Sequence, residues 1–359
     1  MTERLHGVIL VGGEGTRLRP LTNNVPKPMV PIVNRPFLEH MLAHLRGHGI
    51  EDVTLAICYL PDRIRSHFGD GEGFGVKLSY AVESSPRGTA GAVKNAEEHI
   101  KGTFFAFNGD VFTDLDLSAM LAFHRKMKAK ATIALTPVED PSAFGVVETD
   151  ANGRVRAFIE KPKREEATTN MINAGTYILE PEVLDHVPPD TFYMFERGLF
   201  PLLVERGDPV YAYPSDDYWM DIGNPQQYLR LHRDLLTGKA KTVLPGKPWR
   251  EGIWVENEAN IDPTAQLVPP LVIGKRCLIG PRARIEGPTV LGPGVAIGEG
   301  ACIQESVLWQ DTNVGPRAIL KGCVAGMNGL IGNGVCLAEG TVLGDGERVE
   351  TPGKKEERA

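Results

Sequence analysis

The chain has 359 residues, more than a single hydrophobic core usually serves, so two domains are expected. A net charge of −7 with 42% apolar residues suits a soluble protein and gives no reason to expect nucleic acid or a membrane as partner. No apolar run reaches the ~18–20 residues of a membrane span. The N-terminus, MTERLHGVILVGG, lacks a long apolar region before a cleavage site and runs directly into a core strand, so it is not read as a signal peptide. The cysteines (58, 277, 302, 323 and 336) are five in number and contain no C-x-x-C pair. They read as buried free thiols in a reducing cytoplasm.

In chain order, the apolar run Gly7–Val11 reads as a buried strand. It feeds the stretch Leu10–Pro31, LVGGEGTRLRPLTNNVPKPMVP. Gly12, Gly13 and Gly15 let the backbone turn sharply and aim bare N–H groups at an anion. Arg17 and Arg19 add charge that can grip phosphate oxygens in pairs. Pro26 and Pro28 bias their neighbours towards extended backbone, so Lys27 should project from a stiff segment. A Walker loop would need Gly-Lys-Ser/Thr where Gly-Thr-Arg stands, and a dinucleotide fingerprint would need glycine at Leu18. The stretch is therefore expected to hold a polyphosphate, with Leu10, Gly12, Gly13, Gly15 and Thr16 at the nucleotide.

A helix follows from Pro36 to Leu45, apolar on one face. His40, His44 and His48 recur every four residues on it and read as a solvated polar face rather than a metal site. Strands at Val53–Leu60 and Val76–Val82 alternate with helices, which predicts a mostly parallel, doubly wound sheet. Ligands in such sheets sit beyond the carboxyl ends of strands. The second glycine loop, ESSPRGTAGA, with Gly88 and Thr89, is therefore expected to receive the base. Glu83 opens that loop. A carboxylate accepts but cannot donate, which matches the paired N1–H and amino donors of guanine better than the mixed edges of uracil, thymine or adenine. A solvated loop glutamate is the alternative.

The strand Thr103–Phe107 ends in Asn108-Gly109-Asp110. A carboxylate there is well placed for Mg²⁺ on a triphosphate. Asp114 and Asp116 read as helix-start residues. Beyond the strand Ala131–Val138 the chain becomes richer in β-structure, with a hairpin turn at Asn152-Gly153. In FIEKP and INAGTY, Glu160 and Asn173 can bond sugar hydroxyls, Lys161 can neutralise a sugar phosphate, and Gly175 can admit the ring. Asp221, set between apolar residues, would be costly to bury unpaired. It is paired with Asp110 as a second metal ligand, although it could cap the helix near Pro225, a role open to Asn224 as well.

Residues 241–252, including the basic, proline-bearing KTVLPGKPWR, read as a linker. An aliphatic residue then recurs every sixth position through Ile261, Leu267, Ile273, Ile279, Ile285, Leu291, Ile297 and Ile303. The beat slips to Leu308 and Val314, slips again to Ile319, and continues through Ala325, Ile331, Leu337 and Leu343. This is the pattern of a left-handed parallel β-helix over residues 253–345, before a polar tail. Its cysteines read as small packing residues. All nine histidines lie at or before His232, so acyl transfer by the β-helix is not expected, and an assembly role is favoured.

Taken together, G-G-x-G-T-R-L-x-P-L-T, P-K-P, GTAGA, NGDVF, FGVV, FIEKP, NAGTYIL and YWMDIG resemble the nucleotide-sugar pyrophosphorylases, within them most closely the GDP-mannose pyrophosphorylases. The resemblance covers nearly all of residues 5–345. It implies an α/β nucleotidyltransferase domain (doubly wound, mostly parallel sheet) over residues 1–240 and a soluble enzyme joining a nucleoside triphosphate, GTP foremost, to a sugar 1-phosphate. A homo-oligomer is expected separately, because the flat faces of a β-helix usually find a second copy. It places Arg17 and Lys27 at the triphosphate, Glu83 and Gly88 at the base, Gly145, Glu160 and Lys161 at the sugar phosphate, and Asp110 and Asp221 on Mg²⁺. One segment departs from the family: FYMFER (192–197) stands where Ser-Ile-Glu-Lys-Glu is usual.

Overall fold

The computed structural model describes residues 4–350. In chain order the first half holds β1 (His6–Leu10), a short hairpin β2–β3 (Pro31–Ile32 and Arg35–Pro36), α1 (Phe37–Gly47), β4 (Asp52–Ile57), α2 (Pro61–Phe68), β5 (Lys77–Val82) and α3 (Gly88–Asn95). It continues with β6 (Phe104–Asn108), β7 (Val111–Thr113), α4 (Leu117–Met127), β8 (Ala131–Pro137), β9 (Gly145–Thr149), β10 (Val155–Glu160) and β11 (Met171–Leu179). Last come α5 (Phe200–Glu205), β12 (Val210–Pro214), β13 (Trp219–Asp221) and α6 (Pro225–Leu236).

The chain folds as two compact units. Among the described residues, one takes 4–14 with 38–221, the other 15–37 with 222–350. The first is an α/β unit whose sheet runs β10-β9-β11-β6-β1-β4-β5. β1 lies between β4 and β6, parallel to both, with His6 opposite Asp52 and Phe104. Such a strand is covered on both faces, and Val8 and Ile9 are fully buried, which is why its sequence reads as a continuous apolar run rather than an alternating one. β11 runs antiparallel to β6 and β8, so the sheet is mixed. β9 and β10 are antiparallel, and Gly153 turns between them at φ +79°. Asp116 caps α4 by accepting from the Ala119 N–H, and Asn224 caps α6 by accepting from Gln227.

The histidine face is only partly solvated. His40 is buried with its ring 5.9 Å from that of Phe112, whereas His44 and, just past the end of α1, His48 are half-buried and pack edge-on to each other. The four-residue spacing reads equally as a packed stripe, and the apolar partners that decide between the two come from β7, far along the chain.

In the second unit, residues 253–349 form stacked coils whose parallel strands build three sheets. Ile261 faces Ile279 and Ile279 faces Ile297, a spacing of 18, so three hexapeptides complete one coil. Ile297 then faces Val314, and Val314 faces Ile331, a spacing of 17 in each case. Those short coils account for the two slips. The second slip falls one step later than the sequence suggests. Leu320 is fully buried and opposes Ile303, whereas Ile319 points outward, 49% exposed. The expected linker also ends early, since Lys247–Arg250 pairs antiparallel with Ile253–Val255. Cys277 and Cys323 are buried packing residues, but Cys58 and Cys302 are half-buried and Cys336 is exposed, which corrects the expectation that all are interior.

Candidate active site

β1, β4, β5 and β6 are parallel, so their carboxyl ends, and the loops leaving them, lie on one edge of the sheet. Gly12 follows β1, and a Cβ there would meet the Cys58 Cβ at 3.3 Å and Glu83 Oε2 at 3.5 Å. The first glycine turn therefore lies directly against the residue that opens the second. Gly109, after β6, donates its N–H to the Leu10 carbonyl at 3.0 Å. A side chain at 109 would strike that oxygen. Glu83 is 6% exposed, and burial raises its pKa. Its Oε1 has no hydrogen-bond partner among the described residues. A buried carboxylate oxygen left this way costs free energy unless a ligand supplies donors.

Asp110 and Asp221 are joined by strand register. β7 and β13 form a two-stranded ribbon in which Val111 opposes Asp221, and Asp110 is the residue before Val111. Among the described residues no group of three or more His, Cys, Asp or Glu could hold a metal by itself. Two hard carboxylates fit Mg²⁺ nonetheless, because that ion is commonly held by one or two carboxylates plus substrate phosphates. The indole of Trp219, on the same ribbon, donates to the Ala174 carbonyl at 2.9 Å and so ties the ribbon to β11.

Around the expected sugar residues, Gly145 opposes Glu160 across β9 and β10. A Cβ at 145 would lie 2.7 Å from the Phe158 ring and 3.0 Å from Glu160 Oε2, so glycine makes room for both. Lys161 is exposed and lies 3.9 Å from the Glu160 carboxylate. Asn173 donates from Nδ2 to Tyr177 Oη at 2.7 Å and accepts the Gly175 N–H at 3.0 Å. Gly175 has φ +72°, and a side chain there would run into Asn108. Its glycine is thus required by the asparagine at the end of β6. Asn108 Oδ1 is buried and unbonded among the described residues.

Sequence reasoning passed over Glu196, which sits in the departing segment. It is 9% exposed, accepts from Thr89 Oγ1 at 3.0 Å and from Tyr177 Oη at 3.4 Å, and burial raises its pKa. The Phe195 N–H in turn donates to Thr89 Oγ1 at 2.8 Å. Gly91 donates to the Tyr193 carbonyl, and a Cβ on Gly88 would lie 2.7 Å from that oxygen. Residues 193–196 therefore bridge the expected base loop to Tyr177 and Asn173. No short motif marks them. The available signal was a glutamate directly after Phe195 in a segment otherwise rich in aromatic residues.

In the second unit, Gly15 has φ +66°, and a Cβ there would lie 3.2 Å from the Lys27 Cβ. Thr22 donates to the Gly15 carbonyl at 2.8 Å. Thr16 and Arg17 are exposed in a single 3₁₀ turn, and Lys27 is buried, 8% exposed, in another. The glycine is therefore what lets the arginine turn close down on the lysine segment. Gly13 is exposed with open space where a side chain would stand.

A parallel sheet edge with glycine turns, flanked by a paired-aspartate ribbon, is the frame of a nucleotidyltransferase. Residues 6–238 match the nucleotidyl transferase family, and the chain belongs to it. Residues 279–352 match the GMPPB C-terminal domain. The mannose-1-phosphate guanylyltransferase of Mycobacterium tuberculosis is 40% identical over 307 residues, 85% of this chain and 84% of that protein. The UTP–glucose-1-phosphate uridylyltransferase of Synechocystis is 38% identical, covering 88% of this chain and 86% of its own length. Among solved structures, HddC from Yersinia pseudotuberculosis complexed with GMP-PN has a TM-score of 0.54 at 30% identity, covering 63% of this chain and 97% of that one. The chain is thus an enzyme of nucleotidyl transfer to sugar 1-phosphates. Among the described residues no helix is long and apolar enough to cross a membrane.

Proposed function

We propose that the enzyme transfers a guanylyl group from GTP to mannose 1-phosphate, releasing pyrophosphate in a Mg²⁺-dependent reaction. The observation that carries the choice of base is the buried, unbonded Oε1 of Glu83 at the head of the second glycine loop. Guanine offers two adjacent donors to such a group, and no other common base does. The Mycobacterium tuberculosis relative supports the same base and sugar.

Asp110 and Asp221 would hold Mg²⁺, which when bound neutralises charge on the phosphate oxygens. The attacking sugar phosphate is largely dianionic near neutrality, its second pKa being about 6. It needs no general base. What the chain supplies is position and charge. Arg17 and Lys27 offset charge on the departing pyrophosphate, Lys161 holds the attacking phosphate, and the glycine turns present backbone N–H groups. Glu160 and Asn173 orient the sugar through its hydroxyls.

The Synechocystis relative favours a second reading, uridylyl transfer to glucose 1-phosphate. A matrix of the four nucleoside triphosphates against mannose, glucose and fucose 1-phosphates, read by pyrophosphate release, separates the two. GTP with mannose 1-phosphate is expected to give the highest kcat/KM, and a UTP preference would overturn the guanylyl reading. Glu83→Gln should lower the GTP-to-UTP ratio of kcat/KM by roughly 10- to 100-fold, the value of one well-placed polar contact. Because burial raises the Glu83 pKa, kcat/KM for GTP should decline at higher pH on the acid side than a solvated carboxylate would dictate. Protonation replaces an acceptor with a donor facing donors.

A further inference from the structure

The segment that carries Lys27 is clamped on its C-terminal side by the β-helix. After the 3₁₀ turn Lys27–Met29 the chain forms the hairpin β2–β3, with Val33 and Asn34 at its tip. Both have positive φ, +41° and +67°. Asparagine tolerates that region, but for a β-branched, fully buried valine it is a strained conformation that only strong surroundings maintain.

Those surroundings are specific. The Val33 N–H donates to His232 Nε2 at 3.1 Å, while His232 Nδ1 lies 2.9 Å from the Tyr228 carbonyl and donates to it. Asn34 Nδ2 donates to the carbonyl of Leu291, inside the coil stack, at 2.9 Å. Tyr228 Oη donates to the Pro31 carbonyl at 2.5 Å and accepts from the indole N–H of Trp309 at 2.9 Å. Tyr228 and Trp309 are 0% and 2% exposed. Burial raises the Tyr228 pKa, so its hydroxyl remains a donor across the working pH range. Hydrogen bonds thus run from the β-helix through Tyr228 to the backbone four residues beyond Lys27.

We propose that Trp309 is a positioning residue for nucleotidyl transfer: its indole N–H orients the Tyr228 hydroxyl, which fixes Pro31 and, through it, the buried Lys27. On this view the β-helix supports the reaction directly, in addition to any role in assembly. The proposal rests on the reading that Lys27 offsets charge on the triphosphate. Trp309→Phe removes the donor while retaining an aromatic ring, and Tyr228→Phe removes the hydroxyl alone. Each should lower kcat for pyrophosphate release by about tenfold, less than the ~100-fold that a 1 Å misplacement of a reacting group can cost, with KM for the sugar 1-phosphate unchanged. The double variant should be no slower than Tyr228→Phe, because the two groups act in series. Ile303→Val, a truncation in the coil core away from this chain of bonds, should lower the melting temperature without lowering kcat.

Lys27 can also be followed without turnover, by its rate of modification with an amine-reactive ester read by peptide mass spectrometry. Trp309→Phe and Tyr228→Phe should label Lys27 several-fold faster than the parent, and Ile303→Val should not. Unchanged labelling and unchanged kcat in both aromatic variants would overturn the proposal. So would losses of kcat that merely follow the melting temperature, as in Ile303→Val. If the parent enzyme released pyrophosphate from no substrate pair while labelling still rose in the two variants, the reading of the reaction would fail and the positioning of Lys27 would stand.

Discussion

In the stacked coils every strand pairs with one 17 or 18 residues along the chain, as Ile279 with Ile297 and Ile297 with Val314. In the α/β unit the central strand pairs across much longer gaps, His6 lying opposite both Asp52 and Phe104. The first arrangement repeats one local interaction, so its energetics resemble a sum over neighbouring coils. The second brings distant loops to one edge, and its chemistry depends on a few residues that do little for the core. Damage should divide accordingly, with loss of turnover in the α/β unit and loss of stability in the coils, Trp309 being the coil residue expected to break that division through its bond to Tyr228.

The largest expected effect tests the ribbon. Asp110→Asn should reduce Mg²⁺-dependent pyrophosphate release by ~10³-fold or more while the melting temperature holds, since it removes charge from the site but nothing from the core. Full activity in that variant would take Asp110 out of the reaction. Next, Leu320→Ala should destabilise the coil stack by about 2–5 kcal/mol, measured by denaturant unfolding, as deletion of a fully buried leucine does. Turnover per folded molecule should be unaffected.

A third effect concerns acid. Burial, then the neighbouring His48, hold His44 at a pKa of about 4, against the opposing pull of the Leu115 carbonyl, Asp116 and Asp217. The unfolded chain takes up a proton near the ordinary histidine pKa of 6.5 while the folded one resists. Stability from this group is therefore present above 6.5 and drains as the pH falls towards 4, by roughly 3 kcal/mol in all. His44→Gln should flatten the stability curve over that window, and an unchanged acid slope would show the histidine to be solvated after all. The smallest effect is the sharpest check of register: Ile319→Ala, one residue from Leu320, should change stability by no more than ~0.5 kcal/mol.

That last pair marks where the sequence stopped being readable. A six-residue rhythm announces a β-helix, but at Ile319-Leu320 two aliphatics stand side by side, and only the pairing of Leu320 with Ile303 decides which faces inward. The caps at Asp116 and Asn224, one in each unit, were legible because each rests on local geometry. Glu196 was not, because its partners Thr89 and Tyr177 come from other parts of the chain. The burial of His40 was missed for the same reason, its covering residue Phe112 lying on β7. Nor does any pattern reveal that Gly15–Phe37 packs with the C-terminal half. Tyr228 and Trp309 are two aromatics with no motif around them.

The bond between Trp309 and Tyr228 also constrains how such a chain can grow. Duplicating one complete turn of the solenoid ahead of residue 309 would shift the indole by one strand spacing, ~4.8 Å, out of reach of the phenol. Duplicating a turn beyond it would leave the pair intact. That second insertion would instead displace Gly344, which lies against Pro20, so the stack is held in register on both sides of residue 309.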